Sequence, residues 1–153
     1  MLIAALLVNA ENISFHDSAS SKKKVLENLS QKLAVNTTAT TAEKIFQVLL
    51  ERERLGSTGL GKGVAIPHAR VPGLTHTVAA MLTLDAPIPF ESADNQPIDI
   101  AFGLLVPEED TENHLQHLSR LVTLFRDAEI CEKIRSAKDA EDIFDLLISI
   151  DDD

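Results

Sequence analysis

The chain has 153 residues, 44% of them hydrophobic and 25% charged, which is the composition of one soluble globular domain with a workable core. Fourteen Lys and Arg against 24 Asp and Glu give a formal charge of −10, which argues against binding a nucleic-acid backbone or an anionic membrane, since both are held by cationic contacts. The absence of Trp and Tyr removes the usual platforms for stacking nucleobases, and a single cysteine, Cys131, cannot form an internal disulfide.

In chain order, "MLIAALLVNAEN" opens the sequence. Its apolar run is only Leu2 to Val8, no Lys or Arg precedes it, and Glu11 follows, so it reads as folded chain and not as a signal peptide. No run approaches the length needed to span a membrane, and a cytoplasmic protein is expected. "KKKVLENLSQKLA" repeats Val25, Leu29 and Leu33 at helical spacing. "TTAE", with Thr40 and Glu43 three apart, has the form of a capping box. It opens a second helix, "AEKIFQVLLERERL", for which Gly56 is the expected left-handed stop.

Three short apolar runs follow, "GVAIPHA", "TVAAMLTL" and "IDIAFGLLV", bounded by Pro or Gly as strands of a covered sheet are. "EEDTENHLQHLSRLVTLF" then predicts a helix with Leu115, Leu118, Val122 and Phe125 on one stripe. Two short amphipathic helices, "DAEICEKIRSA" and "DAEDIFDLLISI", end the pattern; Cys131 reads as a small buried hydrophobe and the final "DDD" as a solvated, frayed end. Helices before and after the strands predict an α/β fold, a single domain over 1–153 with its sheet covered by helices.

"GSTGLGKGVAIPHAR", residues 56–70, carries the chemistry. Its beginning nearly spells a nucleotide-binding P-loop, but such a loop follows a strand and opens a helix, and needs Ser or Thr after the lysine. Here a helix precedes the loop, a strand follows it, and position 63 is glycine, so the nucleotide reading fails. Four of the six glycines, Gly56, Gly59, Gly61 and Gly63, still crowd this stretch. A flexible connector is the plain reading; a backbone passing close to a bound group, with amides turned inward, is the sharper one.

His68 is expected to end the apolar strand, oriented by Pro67, with Ser57, Thr58, Gly59, Gly61 and Gly63 offering hydroxyls and amides nearby. That set suits a nucleophilic imidazole beside a phosphoryl group; a structural histidine is the alternative. His114 and His117 lie three apart without a third ligand, so neither a metal nor any other cofactor is expected. Helical projection puts His114 on the apolar stripe, where a neutral ring could donate to a phosphoryl oxygen or bond to backbone, and His117 at its edge. Arg52 flanks the stripe of Ile45, Val48 and Leu49, whereas Arg54 points outside it, so Arg52 is the better candidate to reach the loop. His16 and His76 read as surface residues.

At these residues the sequence resembles the fructose/mannitol-type enzyme IIA domains of the bacterial phosphotransferase system, and within them the stand-alone nitrogen-regulatory branch. The resemblance runs from about Leu2 to Ile150 and rests on "SSKKKVLENLSQKLA", "ERERLGSTGLGKGVAIPHAR", "FESADNQPIDIAFGLLVPEED" and "HLQHLSRL", in that order. It implies a mixed sheet between helices and a phosphocarrier in which His68 accepts a phosphoryl group from a histidine-phosphorylated carrier protein. It places the second active-site histidine on His114 and the arginine on Arg52, and implies regulatory targets such as kinases or transporters. Neither nucleic acid nor insertion into a membrane is implied. His117 is an addition to the motif, and a IIA component of fructose- or mannitol-type sugar uptake is the alternative function.

Overall fold

The computed structural model describes residues 3–109 and 111–151. A short helix α1 (Ile3–Leu7) and a 3-10 turn (Ala10–Asn12) lead into strand β1 (Ile13–Asp17), followed by helices α2 (Lys22–Val35) and α3 (Ala42–Arg54). Then come β2 (Gly59–Gly61), β3 (Val64–Ala65), β4 (His68–Val71), β5 (Val78–Ile88) and β6 (Ile98–Pro107), and finally α4 (Thr111–Phe125), α5 (Ala128–Arg135) and α6 (Ala140–Asp151).

The sheet is mixed, in the order β1-β5-β6-β3-β2, with β4 also paired to β6. β5 and β6 are antiparallel, whereas β1 is parallel to β5, and β3 and β4 are both parallel to β6. β3 and β4 are two pieces of one extended line: Val64 and Ala65 pair with Ile100 and Ala101, and His68 resumes opposite Leu104. The interruption falls at Ile66–Pro67, because proline has no N–H to donate to a ladder. Its carbonyl still accepts from the Leu104 amide at 3.0 Å. His68 therefore opens a strand, where the sequence suggested that it closed one.

The two-residue period of β6 divides the core. Ile100, Phe102, Leu104 and Val106 face α1 and the C-terminal helices, with Leu121, Phe125, Ile134 and Leu147. Ala101 and Leu105 face α2 and α3, with Leu26, Leu29, Leu33, Ile45 and Leu49. Phe102 and Phe125 meet at 5.8 Å between ring centroids and 52°, a tilted contact that adds about 0.5–1.5 kcal/mol to plain burial. Both faces are covered, which is why the central strands read as nearly continuous apolar runs. Among the described residues no helix is long and apolar enough to cross a membrane.

Several local expectations change. β1, whose "ISFHD" carries only weak alternation, joins the sheet by pairing Ile13 with Met81. The α3 cap is Thr41, whose side chain accepts from the Lys44 amide at 3.3 Å, one residue beyond the expected Thr40. Gly56 has φ +154°, outside the αL well of the usual helix stop. Residues 152 and 153 of the acidic end lie outside the described residues, but Asp151 is neither solvated nor frayed. Its side chain is 2% exposed and lies 3.4 Å from Arg120 of α4, and it accepts from the Ala4 amide at 2.7 Å, tying α6 to the first turn of α1. Cys131 is buried as expected, with burial pushing its thiol pKa up and its Sγ donating to the Phe125 carbonyl.

Candidate active site

On β4, Ala69 and Val71 turn toward α2 and α3, so by strand alternation His68 and Arg70 turn to the opposite face. His68 is half-buried, and its Nδ1 lies 2.8 Å from the Ile66 carbonyl. A carbonyl oxygen only accepts, so Nδ1 carries the proton and Nε2 keeps its lone pair. Burial lowers the His68 pKa from 6.5; the Ile66 bond and Glu53 pull it upward, and the Arg52 cation adds to the lowering. The imidazole is neutral at neutral pH and has one nucleophilic nitrogen.

His114, on the first turns of α4, is only 8% exposed. Its ring centroid is 5.7 Å from that of His68, at 44°, and its Nδ1 has no hydrogen-bond partner among the described residues. Its pKa is also lowered from 6.5, by burial first and then by positive charge on His68, Arg70 and His117. Two neutral imidazoles thus stand side by side, and charge on His68 opposes protonation of His114.

The two shifts have one consequence for stability. The folded pKa values lie below the unfolded 6.5, so the contribution of this pair is fully present above that value and is lost as pH falls from it toward the folded values. A urea midpoint should therefore be lower at about pH 5.5 than at about pH 8, and the difference should shrink in a His68→Ala, His114→Leu double variant.

His117 does not sit at the edge of the helix stripe. It is 5% exposed, with Nδ1 3.5 Å from Thr77 Oγ1 on the strand side, while Leu115 is 59% exposed. The buried face of α4 is His114, His117, Leu121, Leu124 and Phe125. Relative to the leucine-based projection the helix is turned, and His117, in contact with Thr77, occupies the inner face. His16 and His76 are exposed, as expected.

Arg52 is half-buried at the end of α3, its Nη1 donating to the Gly56 carbonyl at 2.9 Å, and Arg54 is exposed. His68 and His114 are brought into ring contact, and the charge of Arg52 acts to lower the His68 pKa. The loop residues are not brought together with them as an amide cradle. Thr58 donates both its amide, at 3.1 Å, and its hydroxyl to the Glu53 carboxylate. Ser57 Oγ donates to the Phe90 carbonyl at 2.8 Å and accepts from the Gly59 amide at 3.1 Å. These groups are occupied within the protein.

Gly61 and Gly63 belong to the far end of the β2–β3 hairpin. The Gly63 carbonyl accepts from the Ile100 amide at 3.1 Å, whereas His68 stands beside Leu104, a separation of about 13 Å at ordinary strand rise. Packing explains these glycines. A Cβ on Gly59 would come within 2.2 Å of Ser92 Oγ, and one on Gly63, at φ +85°, within 2.5 Å of Arg135. Arg135 itself is held to Asp99 through Nε at 2.9 Å and to the Lys62 carbonyl through Nη2 at 2.8 Å.

Three residues near the site escaped the sequence reading. Arg70 was signalled only by its place two residues after His68, on the same strand face. Glu53 continues the buried i, i+4 row of Ile45 and Leu49, a charge where an apolar residue belongs. Lys22 is its partner, with Nζ 3.1 Å from Glu53 Oε1 and 4.7 Å above the Phe90 ring.

The chain is 44% identical to a nitrogen regulatory protein of Bradyrhizobium diazoefficiens over 127 residues, 83% of this chain and 82% of the relative. It is 41% identical to a nitrogen regulatory protein of Pseudomonas aeruginosa over 130 residues, 85% and 84% of the two chains. The crystal structure of nitrogen regulatory protein IIA-Ntr from Neisseria meningitidis superposes with a TM-score of 0.89 at 34% identity, covering 95% of this chain and 98% of the other. The model of the phosphoenolpyruvate-dependent sugar phosphotransferase system EIIA 2 family matches residues 6–150, and the chain belongs to that family.

Proposed function

We propose that this protein is a phosphocarrier of the nitrogen-regulatory branch of the phosphotransferase system, accepting a phosphoryl group on Nε2 of His68 from a histidine-phosphorylated carrier protein. The observation that carries this reading is the His68 ring itself: neutral, with Nδ1–H held by the Ile66 carbonyl, and 5.7 Å from a second buried imidazole. The relatedness to nitrogen regulatory proteins supports the branch.

In the step we infer, the Nε2 lone pair attacks phosphorus in line with the donor's P–N bond. A new P–N bond forms as the old one breaks, and the donor imidazole leaves with the bonding pair. The proton stays on Nδ1, hydrogen-bonded to the Ile66 carbonyl, and no net proton is consumed. In this reading Arg52 and the neutral His114 stabilise the phosphoryl oxygens, since the Thr58 and Gly59 amides are engaged elsewhere. Release reverses the step toward an acceptor. The phosphorylated ring adds roughly two negative charges beside Arg52, which selects partners by charge in a cytoplasmic, regulatory setting.

Incubation with a phosphorylated histidine carrier should add one acid-labile, alkali-stable phosphoryl group, seen in intact-mass spectra. Labelling by ATP alone, with no carrier present, would overturn the reading.

A further inference from the structure

Glu53 is an acid that phosphoryl transfer has no direct use for, yet it is a deeply buried carboxyl group near His68. Its side chain is 2% exposed, and three donors converge on its two oxygens: the Thr58 amide at 3.1 Å, the Thr58 hydroxyl, and Lys22 Nζ at 3.1 Å. A buried carboxylate with its lone pairs filled in this way is held in one geometry and holds its donors in return.

The bonds do not stop at Thr58. The Thr58 carbonyl accepts from the Ile66 amide at 3.0 Å, and the Ile66 carbonyl takes the Nδ1 proton of His68 at 2.8 Å. Lys22, Glu53, Thr58, Ile66 and His68 therefore form one unbroken row of contacts, from the start of α2, through the end of α3 and the loop, to the ring. A second anchor, Ser57 Oγ on the Phe90 carbonyl at 2.8 Å, fixes the loop from the side, next to the ring on which Lys22 rests. The Ile66–Pro67 break removes one ladder bond, the one Pro67 cannot donate, so the Thr58 carbonyl on the Ile66 amide shares the holding of this peptide with the Leu104 amide on the Pro67 carbonyl.

We infer that Glu53, with Lys22, is a positioning residue that acts through Thr58 and Ile66 to hold His68 in the Nδ1–H tautomer, with Nε2 presented for transfer. The inference rests on the phosphocarrier reading for its consequence but not for its geometry. Removing the carboxylate frees the Thr58 amide and hydroxyl, loosens the Ile66 carbonyl, and lets the imidazole exchange tautomers, so that part of the population turns a protonated Nε2 toward the donor. Displacements of this kind cost rate without touching the reacting atoms.

The test uses the full chain with three substitutions: Glu53→Gln, which keeps shape but loses the charge and one acceptor; Lys22→Met; and Thr58→Val, which removes only the hydroxyl. Imidazole nitrogen chemical shifts at about pH 8, where the ring is neutral, report the tautomer with no donor present. The single Nδ1–H tautomer expected for the parent should become a mixture in Glu53→Gln, and phosphoryl transfer from the phosphorylated carrier should slow by about 10- to 100-fold at unchanged donor affinity. Thr58→Val and Lys22→Met should shift both readouts in the same direction by less. If Glu53→Gln does not fold, those two carry the test. A folded variant with the parent's tautomer and the parent's rate overturns the inference. A parent that never accepts phosphate overturns the reading of His68 instead, and the tautomer measurement stands apart from it.

Discussion

His68→Ala should take up no phosphoryl group under conditions that phosphorylate the parent completely, and should unfold at nearly the parent's temperature. The expected loss is total because the substitution removes the only atom that forms the new bond, and no neighbour can replace it. His114 is more deeply buried, and His117 is bonded away toward Thr77. The fold should survive because His68 is half-buried at the first residue of a strand, and its ring hydrogen bond is a single contact to backbone, worth about 1 kcal/mol. Intact-mass spectra and a thermal melt on the same sample check both halves. Acid-labile phosphate on His68→Ala would move the acceptor to another residue. The variant also isolates the charge of the phosphoryl group: a partner that prefers the unphosphorylated protein should bind His68→Ala equally well, whatever the state of the carrier.

Arg52→Ala and His114→Ala should each leave the protein able to be phosphorylated but slow the transfer by roughly 10²- to 10³-fold, as loss of one preorganised donor does. The argument is stronger for these two because the backbone amides of Thr58 and Gly59 are committed to Glu53 and Ser57, so few donors remain to share the developing charge. Removal of Arg52 deletes a permanent cation whose field already reaches His68, so this variant should also raise the His68 pKa, since a nearby positive charge disfavours imidazolium. His114→Ala removes no charge that acts on His68 and should move its pKa less. Arg54→Ala, exposed at the same helix end, should do neither. Single-turnover transfer from the phosphorylated carrier, with a parallel imidazole titration, separates the outcomes; an Arg52→Ala rate equal to the parent's would remove Arg52 from the site.

Much of this was legible in the sequence because it depends on local rules. The α2 row of Val25, Leu29 and Leu33 is fully buried, as its spacing required. The strand runs of β5 and β6 are apolar on both faces because helices cover both. His68, His114 and Arg52 were picked out by residue type, motif and helix projection; the fold sets the His68 and His114 rings 5.7 Å apart, with the Arg52 charge acting on His68. What sequence could not decide was everything set by a partner distant along the chain. The rotation of α4 sets His117 against Thr77, and Leu115 and not His117 is left outside. The hairpin glycines looked like a phosphate cradle, but they serve close packing against Ser92, Asp94 and Arg135, contacts made across 32 or more residues of sequence. Asp151 read as solvated because nothing nearby in sequence pairs with it, whereas its partners are Ala4 and Arg120. The charge partner of Glu53, Lys22, is likewise distant, at the start of α2. By itself the sequence determined which residue types could do the chemistry and which faces of their elements would be buried, since both follow from short-range periodicity. Only the tertiary structure decided which hydrogen-bond donors were still unspent beside His68, because each group's partner is fixed when separate elements pack.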